Sequence, residues 1–186
     1  MSGSGTPSSN NGPSVMMATA NGGGNQQAPA LVHRKIALLG FRAVGKSSLT
    51  NVYVTGSFSG EYNPTIESTL RKTIKFRKVH FETDIVDTAG MDEFSRLSRN
   101  ASVGVHGYVL VFSITSRQSF DMISQVNSAL LNTLGDAPDV PRVLVGSMKD
   151  LSESRQVPTE EAQKLADSWK VPYIECSSMR NENVRE

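Results

Sequence analysis

Among 186 residues there is one cysteine, Cys176. That excludes a disulfide framework or a cysteine metal cluster within the chain, and it fits a reducing compartment. No apolar run approaches the roughly 18 residues of a membrane span, and no signal-peptide pattern opens the sequence. Ser2 follows Met1, so the glycine-myristoylation pattern is absent too. Formal net charge is only +1, and bulk electrostatics gives no sign of nucleic-acid binding. Asp, Glu, Lys and Arg are all missing from residues 1–32, which are Ser-, Gly-, Asn-, Pro- and Ala-rich. Such a stretch has too little apolar side chain to offset its ordering entropy. Residues 1–32 are therefore expected to be a disordered tail, and residues 33–186 one folded domain.

What is present is concentrated in the ten residues from Gly40 to Leu49, GFRAVGKSSL. They fit G-x-x-x-x-G-K-[ST] and follow the apolar run Ile36-Ala37-Leu38-Leu39, the strand–loop–helix context of a phosphate-binding loop. The loop residues Gly40, Arg42, Ala43, Val44, Gly45, Lys46, Ser47 and Ser48 are candidate nucleotide contacts. Glycines let successive N–H groups point inward at phosphate oxygens. Lys46 can reach the β- and γ-phosphates, and the Ser47 hydroxyl can ligate Mg²⁺. A helix starting near Lys46 aims its positive dipole end at the anion.

Periodicity outlines the rest. Strands are expected at Lys35 to Gly40, Leu70 to Arg77, Val79 to Val86, Gly107 to Ile114, Val143 to Gly146 and Val171 to Cys176. Helices are expected over Lys46 to Thr55, Ser116 to Leu134 and Thr159 to Trp169. Leu70, Ile74 and Phe76 alternate with Arg71, Thr73, Lys75 and Arg77, so that strand is half-buried, with its basic side in solvent. Alternation of strands and helices predicts an α/β fold with a mostly parallel six-stranded sheet between helical layers. The adjacent strands near 70–86 form the antiparallel exception. Ligands of such sheets sit at the carboxyl ends of the strands. Asp87-Thr88-Ala89-Gly90 falls at one such end. The acid can hold Mg²⁺ opposite Ser47, and the Gly90 N–H can meet a γ-phosphate oxygen because no side chain blocks the approach.

These motifs together resemble the Ras superfamily of small GTPases, and within it the Rheb subfamily, from about His33 onward. The resemblance implies a P-loop three-layer sandwich. It also implies that Tyr62-Asn63-Pro64-Thr65-Ile66-Glu67 is similar to switch I: Thr65 would bind Mg²⁺ and the γ-phosphate, and Pro64, Ile66 and Glu67 would meet an effector. Phe58 matches the aromatic that packs edge-on against guanine, Tyr62 belongs to the same nucleotide-binding set, and Arg42 matches the Rheb pattern. The catalytic set would be Lys46, Thr65, Gly90 and the glutamine position, here Met91. A thioether is a poor acceptor and no donor, so slow intrinsic GTP hydrolysis is expected. Base recognition departs as well: N-K-x-D is replaced by Ser147-Met148-Lys149-Asp150 and S-A-K by Ser177-Ser178-Met179. Asp150 can still accept from guanine N1–H and N2–H₂, and the Ser178 N–H can reach O6. Met148 can cover the base face.

The family's final helix and C-a-a-X tail have no counterpart before Glu186, so an exposed apolar sheet face is expected. The resemblance implies GTP or GDP with Mg²⁺, a GAP, a GEF and an effector such as the TOR kinase complex. Localisation would be cytoplasmic, on the cytoplasmic face of membranes if a lipidated tail exists. Two other readings stand beside the switch: a pseudo-GTPase scaffold with negligible turnover, and an unrelated P-loop kinase or ATPase.

Overall fold

The structure is a computed structural model that describes residues 30–60, 64–92, 96–135 and 139–186. Six strands form one sheet: β1 (Ala30–Leu39), β2 (Glu67–Phe76), β3 (Val79–Thr88), β4 (Gly107–Ser113), β5 (Arg142–Ser147) and β6 (Tyr173–Glu175). Their order is β2-β3-β1-β4-β5-β6. Every neighbouring pair is parallel except β2 with β3. The helices are α1 (Lys46–Thr55), α2 (Arg117–Leu134) and α3 (Thr159–Trp169).

Alternation along each strand divides the core in two. Ala37, Leu39, Val86, Leu110, Phe112 and Leu144 face one layer with Ile123, Leu130, Ala162 and Ala166 of α2 and α3. Leu38, Ile85, Val111 and Val145 face the other, with Leu49 and Val52 of α1. Leu165 and Trp169 of α3 pack against that first cluster as partly buried neighbours. α2 starts one residue after the expected Ser116, which instead caps it by accepting from the Ser119 N–H, and Gly135 ends it.

The structure departs from the expectation at several points. β1 starts at Ala30, ahead of the boundary near His33, because residues 30–34 pair in register with 79–83 of β3. The rest of the charge-free stretch lies outside the described residues. β2 starts at Glu67, ahead of Leu70, for the same reason: Glu67 pairs with Thr88. Residues 149–154 form a short 3₁₀ turn that periodicity does not signal. Phe76 is 58% exposed, because its row of the sheet ends beside Val79 and Ala30, beyond the cover of α1. The basic side of β2 is solvated as expected, with Arg71 paired to Asp84 at 2.6 Å.

No helix follows β6 among the described residues. On the α1 side of the sheet an apolar groove of about 380 Å³ runs past Ile36, Val109, Val143, Ile174 and Cys176, with Val184 along one wall. The expected exposed sheet face is thus a groove whose apolar residues are half-buried or buried, with residues 183–186 along its wall.

Candidate nucleotide and cation site

β1 lies at the switch point of the topology, with β3 on one side and β4 on the other. The loop leaving its carboxyl end is where such sheets bind ligands. Gly40 must be glycine there: its φ is +154°, and a Cβ would lie 2.1 Å from the Val111 carbonyl oxygen. Ala43 (φ 59°) and Gly45 (φ 85°) both take left-handed conformations, which curl the loop. Strain of this kind at a non-glycine residue marks a segment held by its surroundings. Gly45 caps α1 without a side-chain hydrogen bond, and the first turn holds no acid. The amides of that turn are therefore left for an anion.

A cavity of about 440 Å³ opens over this loop. Its wall includes Arg42, Ala43, Val44, Gly45, Lys46, Ser47 and Ser48 from the loop and α1. Phe58, Gly60, Pro64 and Thr65 close one side, Gly90 another, and Met148 the end. Arg42 is exposed, its guanidinium over the Phe41 ring at 5.3 Å.

Lys46 is 5% exposed. Its ammonium donates to the carbonyls of Gly40 (3.1 Å) and Phe41 (2.9 Å). Burial lowers its pKa to about 8, against the opposing pull of Asp87. The Ser47 and Thr65 hydroxyls meet at 2.6 Å across 18 residues of chain. Behind them Asp87 is 3% exposed, and its Oδ1 has no hydrogen-bond partner. Burial raises its pKa, opposed by the nearby Ser47 hydroxyl and Lys46 ammonium. Two hydroxyls and a buried carboxylate oxygen with no partner make an all-oxygen donor set, which suits a hard divalent cation. Gly90 is forced by contact: a Cβ would lie 2.4 Å from Arg42 Cα.

Met91 sits elsewhere. It is 6% exposed and belongs to the core cluster with Leu39, Val86 and Leu110, while its N–H donates to the Gly40 carbonyl. The backbone at 91 thus touches the phosphate loop, while its side chain packs in the core.

At the base end, Met148 is left-handed (φ 62°). Its sulfur accepts from Ser113 Oγ at 3.2 Å and from Thr115 Oγ1 at 3.8 Å. Ser147 is 3% exposed, with Oγ 2.6 Å from the Val44 carbonyl and 2.9 Å from that of Phe112. Its hydroxyl ties β5 to the phosphate loop. Asp150 accepts from Ser177 Oγ at 2.6 Å, and Lys149 N–H donates to the Cys176 carbonyl. The turn after β6 folds back, pairing Ser177 with Glu182 and placing Ser178 to accept from the Asn181 N–H.

The candidate effector residues divide. Pro64 is exposed and Ile66 is 89% exposed, but Glu67 is half-buried and held by Ser98 and Asn100. Tyr62 lies outside the described residues. Sequence reasoning missed Gly60, Ser113, Thr115 and Asn100. No local pattern marks the last three, whose partners Met148 and Glu67 lie 33 to 35 residues away in sequence.

A sequence profile of the Ras family matches residues 35–186. The GTP-binding protein rhb1 of Schizosaccharomyces pombe is 50% identical over 151 residues, 81% of each chain. A GTP-binding protein Rheb homolog of Dictyostelium discoideum is 44% identical over 154 residues, 83% of each. The human GTP-binding protein Rheb is 42% identical over 156 residues, 84% of each. Identity of this order across nearly the whole G-loop sheet, together with the loop, hydroxyl pair and buried acid, means that the chain belongs to the Ras family, in its Rheb-like branch.

Proposed function

We infer that the protein is a GTP- and GDP-binding molecular switch of the Rheb type in signal transduction. The observation that carries this reading is the meeting of Ser47 with Thr65 above buried Asp87, at the mouth of the Lys46 loop. Phosphate chemistry asks little covalent work of the protein; it asks for position and charge. Curled loop amides and the first turn of α1 would receive the β-phosphate, with Lys46 moving from the Gly40 and Phe41 carbonyls toward phosphate oxygens. Ser47, Thr65 and, through a water, Asp87 would hold Mg²⁺. Bound there, the cation would neutralise developing phosphate charge. The Gly90 N–H and Thr65 would sense the γ-phosphate, so that residues around both relax when it is lost.

Asp150, fixed by Ser177, would select guanine, because adenine offers an acceptor at N1 where a carboxylate needs donors. The Ser178 N–H would take O6, Phe58 would pack edge-on and Met148 would cover the base face. Turnover would be slow, since Met91 supplies no group that orients water and its side chain packs into the core rather than the cavity. Resemblance to Rheb implies a GAP, a GEF and an effector of the TOR kinase complex, and Pro64 with Ile66 would form part of the contact. Membrane association follows from that resemblance alone. No helix among the described residues is long and apolar enough to cross a membrane.

The test is competition of fluorescent GDP by GTP, XTP and ATP with Mg²⁺ present. Displacement by GTP far below the concentrations needed for ATP is expected. Equal displacement by ATP would refute Asp150 as the guanine reader.

A further inference from the structure

Residues 64–66 have little apolar anchorage: Pro64 is exposed and Ile66 is 89% exposed. Two polar attachments hold the segment instead. On one side Thr65 meets Ser47. On the other, the Glu67 carboxylate accepts from the Ser98 hydroxyl and from Asn100 Nδ2, the latter at 3.0 Å. The same amide reaches Thr69 Oγ1 at 3.3 Å. Ser98 Oγ in turn accepts from the Ala101 N–H at 3.0 Å. Ala101 is 1% exposed and packed in the core. One end of this clasp is therefore rooted in the interior, and the other begins β2 two residues beyond Thr65.

Resting on the nucleotide reading above, we propose that Glu67 is a positioning residue: with Ser98 and Asn100 it holds Thr65 over Ser47. Hydrogen bonds to a carboxylate are the stronger kind, and two residues of extended chain span roughly 7 Å. Fixing Glu67 therefore confines Thr65 to a small volume. The clasp also ties the start of β2 to Ser98, Asn100 and, through Ser98, the buried Ala101. Glu67 is thereby committed within the fold rather than left free for a partner.

The test is the Ser98→Ala/Asn100→Ala double variant, which removes both donors without touching the nucleotide cavity. Dissociation of fluorescent GDP and of a fluorescent, non-hydrolysable GTP analogue is timed with Mg²⁺ present, in the whole chain. The analogue is expected to leave roughly fivefold faster, as the loss of one or two such bonds implies. GDP release should stay within about twofold, because GDP lacks the phosphate that Thr65 senses. Ser98→Thr, which keeps the hydroxyl, should behave as the unaltered chain. Glu67→Gln gives the same comparison should the double variant fail to fold. Equal acceleration of both nucleotides, or of neither, overturns the clasp while leaving nucleotide binding intact. An unaltered chain that binds neither nucleotide overturns both readings.

Discussion

Lys46 Nζ lies 2.9 Å from the carbonyl oxygen of Phe41, five residues earlier in the same loop. The ammonium thus holds the loop in its curled shape while buried beneath the cavity. Burial brings its pKa down to about 8, so the phosphate ligand must meet a lysine close to losing its proton.

A proton is therefore taken up when nucleotide binds above that pH, since phosphate charge raises the lysine pKa again. Affinity for GDP is expected to be flat below about pH 8 and to fall by up to about tenfold per pH unit above it. Titration calorimetry from pH 7 to 9.5, in buffers of different ionisation heat, reads both the affinity and the proton count. A flat affinity with no proton uptake would remove Lys46 as the coupled group.

Asp87 should weaken the nucleotide-free protein. Its pKa is raised by burial, so the folded chain holds that proton more tightly than the unfolded chain. The stability associated with it is present at acid pH and is lost as pH rises above the usual carboxylate range. Asp87→Asn, freed of a buried charge lacking a full set of partners, should raise the melting point of the nucleotide-free protein at pH 7 by about 2–4 °C, or about 1 kcal/mol. The same variant should lose the slowing of GDP release by Mg²⁺. A lower melting point would contradict the buried-charge argument.

Met91→Gln places an amide among Leu39, Val86 and Leu110. A cost of about 1–3 kcal/mol in chemical denaturation is expected from the unpaired polar group. Single-turnover GTP hydrolysis should stay slow, because position 91 packs into the core rather than into the cavity. A large rate gain would show that a glutamine there swings out.

Met148→Lys should tighten GDP binding. The Ser113 and Thr115 hydroxyls now donate to the Met148 sulfur, a weak acceptor, whereas an ammonium at that position would donate to both hydroxyl oxygens. A gain of about 0.5–1.5 kcal/mol is expected, read as a several-fold slower release of fluorescent GDP. No change would mean that the two hydroxyls do not set the position of the side chain.

The phosphate loop, the acid at the end of β3 and the alternation within β2 were legible in sequence because each depends on neighbours a few residues apart. Gly40 to Ser48 is a continuous stretch of chain, and alternation within β2 follows from the pleat. The start of β1 and β2, the exposure of Phe76 and the burial of Met91 were not legible. They depend on which strand lies alongside and where the helical layer stops.

By itself, then, the order of residues determined the phosphate-binding loop, the alternation of strands and helices and the chemical departures at Met91, Ser147 and Met148, since all of these are local patterns of size, charge and backbone freedom. Only the folded chain decided that Ser47 meets Thr65, that Ser147 ties β5 to Val44, and that Glu67 is held by Ser98 and Asn100. Those contacts join residues from 18 to 103 positions apart. Their geometry is set by sheet register and by helices packed on both faces, which no short-range pattern encodes.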